Sequence, residues 1–109
     1  MARVEDYESL EVRVGTIVSA RPLRGARLPT AALTIDFGAL GKKVAAARIQ
    51  DLYDPLDLIG LQVAAIVNFP PRSVAGLASE VRVLAVDDGK GQNILLIPER
   101  PVPDGGKVG

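Results

Sequence analysis

The strongest constraint on the fold is the placement of glycine and proline. Pro22, Gly25 and Pro29, then Gly38 and Gly41, Pro55 and Gly60, Pro70-Pro71, and Gly89 and Gly91 cut the chain into short apolar segments. None can supply the repeated crossovers, each with a helix of ten or more residues, that a parallel sheet needs, so a mostly antiparallel sheet is expected. In residues 11–20, Val12 and Val14 alternate with Glu11 and Arg13, and the phase shifts after Gly15; this predicts a strand with a glycine bulge. Leu33, Ile35 and Phe37 alternate with Thr34 and Asp36 as a second strand. Residues 42–49 read as a third strand, although their alanines also suit a short helix.

Beyond that point Asp54 is placed as an N-cap, Pro55 at a first helical position and Gly60 as a stop, predicting one or two helical turns within 51–60. Residues 61–69 form a fourth, nearly continuous apolar strand that Pro70-Pro71 ends. Residues 81–86 and 93–97 flank Asp87-Asp88-Gly89-Lys90-Gly91 as a closing hairpin. The order matches an all-β, five-stranded, partly open OB-fold barrel, with one short helix between strands three and four and extra strand at the C-terminal end; a small β-sandwich is the alternative. One domain is expected over residues 1–109, a length typical of single domains.

The chain has no His and no Cys. That excludes a Ser-His triad, a cysteine nucleophile, ordinary zinc sites and iron–sulfur clusters, so neither a catalytic residue nor a metal or other cofactor is expected. The acidic N-terminus, Met1 to Glu8, lacks a signal peptide's apolar run and no stretch is long enough to span a membrane; a cytoplasmic protein without membrane insertion is expected.

Thirteen basic residues balance thirteen acidic ones, but unevenly. Between Val12 and Gln50 lie Arg13, Arg21, Arg24, Arg27, Lys42, Lys43 and Arg48 against Asp36 alone, a local +6 offset by −6 elsewhere. A basic surface on the first three strands suits phosphates or an acidic extended partner, and a solvated polar face is the plainer alternative. Phe37, Tyr53 and Phe69 are isolated, the two phenylalanines in core phase, so no base-stacking platform is evident. Asp51, Asp54 and Asp57 recur along one helical face as a cap and solvent side rather than a chelate. Ser73, Ser79 and Glu80 lie near Arg72 but lack a base for serine hydrolysis.

The least generic stretch is Asn68-Phe69-Pro70-Pro71-Arg72-Ser73-Val74-Ala75-Gly76-Leu77-Ala78-Ser79-Glu80-Val81. Asn68, Pro71, Arg72, Gly76 and Ser79 fall on the pattern Asn-x-x-Pro-Arg followed by Gly-x-x-Ser, and the chain thereby resembles the tRNA-binding domain family. Arg13 to Val18, Ala26 to Pro29, Ile35 to Gly38 and Pro101 to Gly109 extend the resemblance over almost the whole chain, and it is most similar to the small stand-alone secretion chaperones of the CsaA type. The resemblance implies a cytoplasmic homodimer that binds unfolded or exported preprotein polypeptides, with tRNA as the alternative ligand of the same surface, and no enzymatic activity. It further implies that Lys42, Lys43, Arg48 and Arg72 meet carbonyls or acidic side chains. Asn68, Ser79 and Glu80 would orient the ligand, and Phe69 with Ala45 and Ala47 would supply apolar contact. The third strand departs from the family's pattern: Lys43-Val44-Ala45-Ala46-Ala47-Arg48-Ile49 replaces two hydroxyls by methyls and an amide by a cation, which predicts a more apolar and more basic groove.

Overall fold

The computed structural model describes residues 1–49 and 53–109. Five strands form one antiparallel sheet in the order β3-β2-β1-β4-β7: β1 (Val12–Pro22), β2 (Ala31–Asp36), β3 (Lys42–Ala47), β4 (Gln62–Ile66) and β7 (Arg82–Val83). Two hairpins are appended, β5 (Arg72–Val74) with β6 (Leu77–Ser79) and β8 (Ala85–Asp87) with β9 (Asn93–Leu95). The sheet curls into the nearly closed OB-type barrel that the breaker spacing predicts.

Its interior is aliphatic. Ile17, Leu33, Ile35, Ala45, Val63 and Ala65 are buried together with one aromatic, Phe37. The second short helix, α2 (Pro55–Leu58), follows the expected grammar: Asp54 Oδ1 accepts the Leu56 N–H at 2.9 Å, Pro55 opens the first turn, and Leu58 inserts into the core. Asp51, the first member of the aspartate series, lies outside the described residues. An N-terminal turn, α1 (Val4–Glu8), was not foreseen; the Asp6 carboxylate caps it by accepting the Arg3 N–H at 2.9 Å.

The bulge in β1 sits at Val18 rather than Gly15. The register slips between Ile17, opposite Ile35, and Ser19, opposite Thr34, leaving Val18 as the extra, exposed residue. Gly15 keeps its place opposite Val63, and glycine is required there for space. A Cβ would stand 2.7 Å from Ile35 Cγ2 and 2.8 Å from Phe37 Cδ1, and both of those side chains are fully buried. The apolar run at 81–86 is likewise two strands. Residues 82–83 join β4, Leu84 bridges the two partners by donating to the Ala64 carbonyl at 2.9 Å and accepting the Leu96 N–H at 3.1 Å, and residues 85–87 pair with β9.

Two devices finish the barrel. At the outer edge of β3, the Glu80 N–H donates to the Val44 carbonyl at 2.8 Å, Glu80 Oε1 accepts the Val44 N–H at 3.0 Å, and Ser79 Oγ accepts the Ala46 N–H at 3.0 Å. Side chains thus satisfy an edge that would otherwise offer unpaired donors. At the flank of β1 opposite β4, the C-terminal segment pairs with Val12 and Val14 through Gly105, Gly106 and Val108, and Asp104 Oδ1 accepts from Thr16 Oγ1 at 2.6 Å.

Candidate binding groove

An open groove of about 650 Å3 crosses the barrel where OB folds usually take ligands, between the β1–β2 loop, the end of β3 and the connection after β4. Its size is that of a small-molecule or peptide site. The β1–β2 loop brings Arg27, the residue after β3 brings Arg48, β5 brings Arg72 and β7 brings Arg82. Among the described residues no carboxylate lines it. Ala46, Val74, Val83 and Leu95 make an aliphatic floor. Among the described residues the ion pairs are Arg13 with Glu11 at 3.3 Å and Arg100 with Glu99. The second of these hydrogen bonds raises the Arg100 pKa above its already high value, far from the groove. The four groove guanidinium groups have neither a hydrogen bond nor an ion pair among the described residues, so their charge is available to a ligand.

The walls are fixed by local chemistry. Asn93 Nδ2 donates to the Arg48 carbonyl at 2.7 Å, and Tyr53 Oη accepts the Leu95 N–H at 3.2 Å, tying β9 to the floor. The β5–β6 hairpin turns through Ala75 and Gly76, with φ of +49° and +84°, the left-handed pair that a two-residue hairpin requires. Gly76 therefore does permit the reversal read from sequence, but its arms are strands rather than loop. At the rim, a Cβ on Gly25 would stand 3.9 Å from that of Ala75, so the tips of two loops meet there. A second cleft of about 320 Å3, lined by Phe69, Pro70 and Pro71, adjoins the groove, because Arg72 and Arg82 line both.

Of the expected site residues, the groove brings together Arg48 and Arg72. Phe69, Ser79 and Glu80 line the second cleft; Phe69 is partly exposed, outside the core where its sequence phase put it. Ser79 Oγ and Glu80 Oε1 are engaged by β3. Asn68 is engaged by backbone as well: Oδ1 accepts the Glu11 N–H and Nδ2 donates to the Ser9 carbonyl, each at 2.9 Å, pinning the entry to β1. Lys42 and Lys43 stand at the opposite end of β3, across from Asp36 and Ile35, and line none of these cavities. Ala45 faces the core, whereas Ala46 and Ala47 reach the groove. Arg27, Arg82 and Asn93 were missed. Arg27 lay within the basic window, but nothing in sequence distinguished Arg82. The groove's charge is only partly that of the basic window: Arg13 turns to the C-terminal segment, donating to the Gly105 carbonyl at 3.1 Å, and Arg72 and Arg82 come from outside the window. Among the described residues, no cluster of three potential metal ligands occurs and no helix is long and apolar enough to cross a membrane.

Comparison with known proteins agrees with this geometry. Residues 12–107 match a family model described as "Putative tRNA binding domain". Methionine–tRNA ligases of Methanoculleus marisnigri and Methanococcoides burtonii are 33% and 34% identical over 105 and 101 residues, covering 96% and 93% of this chain. The chain spans only about 15% of the length of either ligase. Among solved structures, the chaperone CsaA of Bacillus anthracis superposes with a TM-score of 0.94 at 46% identity, covering 100% of this chain and 99% of that one. The CsaA chaperone of Picrophilus torridus superposes with a TM-score of 0.92 at 34% identity, covering 100% of both chains.

Proposed function

The chain belongs to the tRNA-binding domain family in its CsaA-like form, and from that premise we propose that it is a non-enzymatic chaperone that holds unfolded or export-destined polypeptide in the arginine groove. The observation that carries this reading is the combination within one open groove of an aliphatic floor with four guanidinium groups that are unpaired among the described residues. An extended chain presents alternate side chains to opposite sides. One set can lie on Ala46, Val74, Val83 and Leu95 while carbonyls and acidic side chains on the other meet the arginines. A cytoplasmic homodimer is part of the proposal. Leu96 and Ile97 are exposed beside a cleft of about 380 Å3 in which Pro98 and Pro101 flank Glu99 and Arg100, a mixed surface on which a second copy could be seated. Two grooves on one dimer would use a weak site twice.

The rival reading is tRNA binding, favoured by the family match over residues 12–107. Salt separates the two. If phosphates engage all four groove arginines, affinity falls roughly 10²-fold between 50 and 200 mM salt, from a slope of about −0.9 per phosphate on duplex. Polypeptide binding, supported by apolar burial, falls much less. The decisive assay is suppression of aggregation of a chemically unfolded client. Arg72→Ala should weaken it, Lys43→Ala should not, and light scattering at micromolar concentration should report a dimer. A wild-type protein that suppresses no aggregation refutes the chaperone reading.

A further inference from the structure

From the charge of the groove walls we infer that the site selects acidic polypeptide, and specifically extended segments in which Asp or Glu alternates with small aliphatic residues. The inference rests on the polypeptide reading and adds the class of client. Arg27, Arg48, Arg72 and Arg82 approach from four separate elements, yet among the described residues no carboxylate lines the cavity they share and none of the four is neutralised. Guanidinium is the side chain best matched to carboxylate, because its fork donates two parallel hydrogen bonds to both oxygens. A lysine-rich segment in the same place would set like charges against four cations in a partly desolvated groove. The floor sets the other half of the preference. Ala46 and Ala47 leave shallow space, and Val74, Val83 and Leu95 offer no polar group to a side chain lying on them, so short aliphatic side chains fit and large polar ones lose hydration. With a period of two, acidic and aliphatic positions separate cleanly onto arginine wall and floor.

An oligonucleotide would also answer the charge, but it gains little from such a floor. The groove's lining has no aromatic on which a base could stack; Phe69 lies in the adjoining cleft, and Tyr53 packs against the core with its hydroxyl held by the Leu95 N–H.

The test is fluorescence anisotropy of the intact protein with three labelled peptides of equal length. Valine and alanine alternate with glutamate, with serine or with lysine, and a single-stranded RNA of similar contour length is measured alongside. The glutamate peptide is expected to bind on the order of tenfold tighter than the serine peptide, with the lysine peptide weakest. Arg48→Gln and Arg82→Gln should each narrow the glutamate-to-serine ratio, weakening the glutamate peptide more than the serine peptide; Lys43→Ala should leave the ratio intact. Both arginines are exposed, and thermal melts establish that the variants fold. The salt dependence of the wild-type ratio is a second readout, expected to shrink as salt rises. Equal affinity for all three peptides overturns acidic selection and leaves the polypeptide reading standing. Binding of the RNA with no peptide bound overturns both.

Discussion

Replacing Ser79 by alanine distinguishes a residue that holds the barrel from one that handles ligand. Ser79 is 4% exposed; its Oγ accepts the Ala46 N–H at 3.0 Å and donates to the Val81 carbonyl at 3.3 Å. Ser79→Ala removes the acceptor and leaves a backbone donor of β3 without a protein partner. A buried donor so orphaned costs about 1–3 kcal/mol, but Ala46 is half-buried and borders the open groove, where water can reach it, which puts the loss at about 1–2 kcal/mol. A domain of this length has an unfolding entropy near 2.1 cal/mol/K per residue, so each kcal/mol lowers Tm by roughly 4 °C and the expected fall is about 4–9 °C. Thermal melts and urea titration measure it, with a lower midpoint and an unchanged m-value. Peptide affinity, measured well below the new Tm, should stay within about twofold. Glu80→Gln retains an acceptor for the Val44 N–H and should lose less. A Tm within about 1 °C of wild type, together with a tenfold or greater loss of binding, would show that the hydroxyl serves ligand and would refute the assignment.

Two further outcomes follow from close approaches. Gly15→Ala should destabilise by about 1–3 kcal/mol through overpacking, since Ile35, Phe37 and the Asp36 carbonyl already fill the space within 2.8 Å of the new methyl; chemical denaturation measures it, and a neutral result would mean that β1 can move away. Asp104→Ala removes the acceptor for Thr16 Oγ1 at 2.6 Å and Gln62 Nε2 at 3.2 Å, and faster amide exchange at Val14 and Val108 should follow while the groove keeps its affinity; unchanged exchange would show that backbone pairing alone holds the segment.

The barrel was legible because its signals are local. The alternation of Leu33, Ile35 and Phe37 with Thr34 and Asp36 and the Asp54-Pro55 helix start depend on neighbours in sequence and mark real elements, whereas the fourth strand, read as running to the Pro70-Pro71 stop, already ends at Ile66. The groove was only half legible. Arg48 and Arg72, singled out from sequence, line the cavity, and so does Arg82, which belongs to a short strand, β7, hidden within an apolar run that reads as one strand. The signature Asn68…Ser79 drew attention to the right stretch for a reason that sequence could not separate. Asn68 and Ser79 use their hydrogen-bonding atoms on Glu11, Ser9 and Ala46, so the motif marks how the domain is tied together, while Arg72 within it faces the groove. Lys42 and Lys43 lie apart from the groove; charge counting along β3 ignores which end of a strand reaches the cavity.

At the tip of the β5–β6 hairpin, Ala75 is the one non-glycine residue with positive φ among those described. An alanine in that conformation carries roughly 1–2 kcal/mol of steric strain, which glycine would relieve. The fold therefore keeps a reserve of stability at the groove's rim rather than in its core. Drawing on it by Ala75→Gly would also remove the methyl that meets the β1–β2 loop and free the hairpin's backbone, so at this position a more durable protein and a stiffer mouth are competing goods.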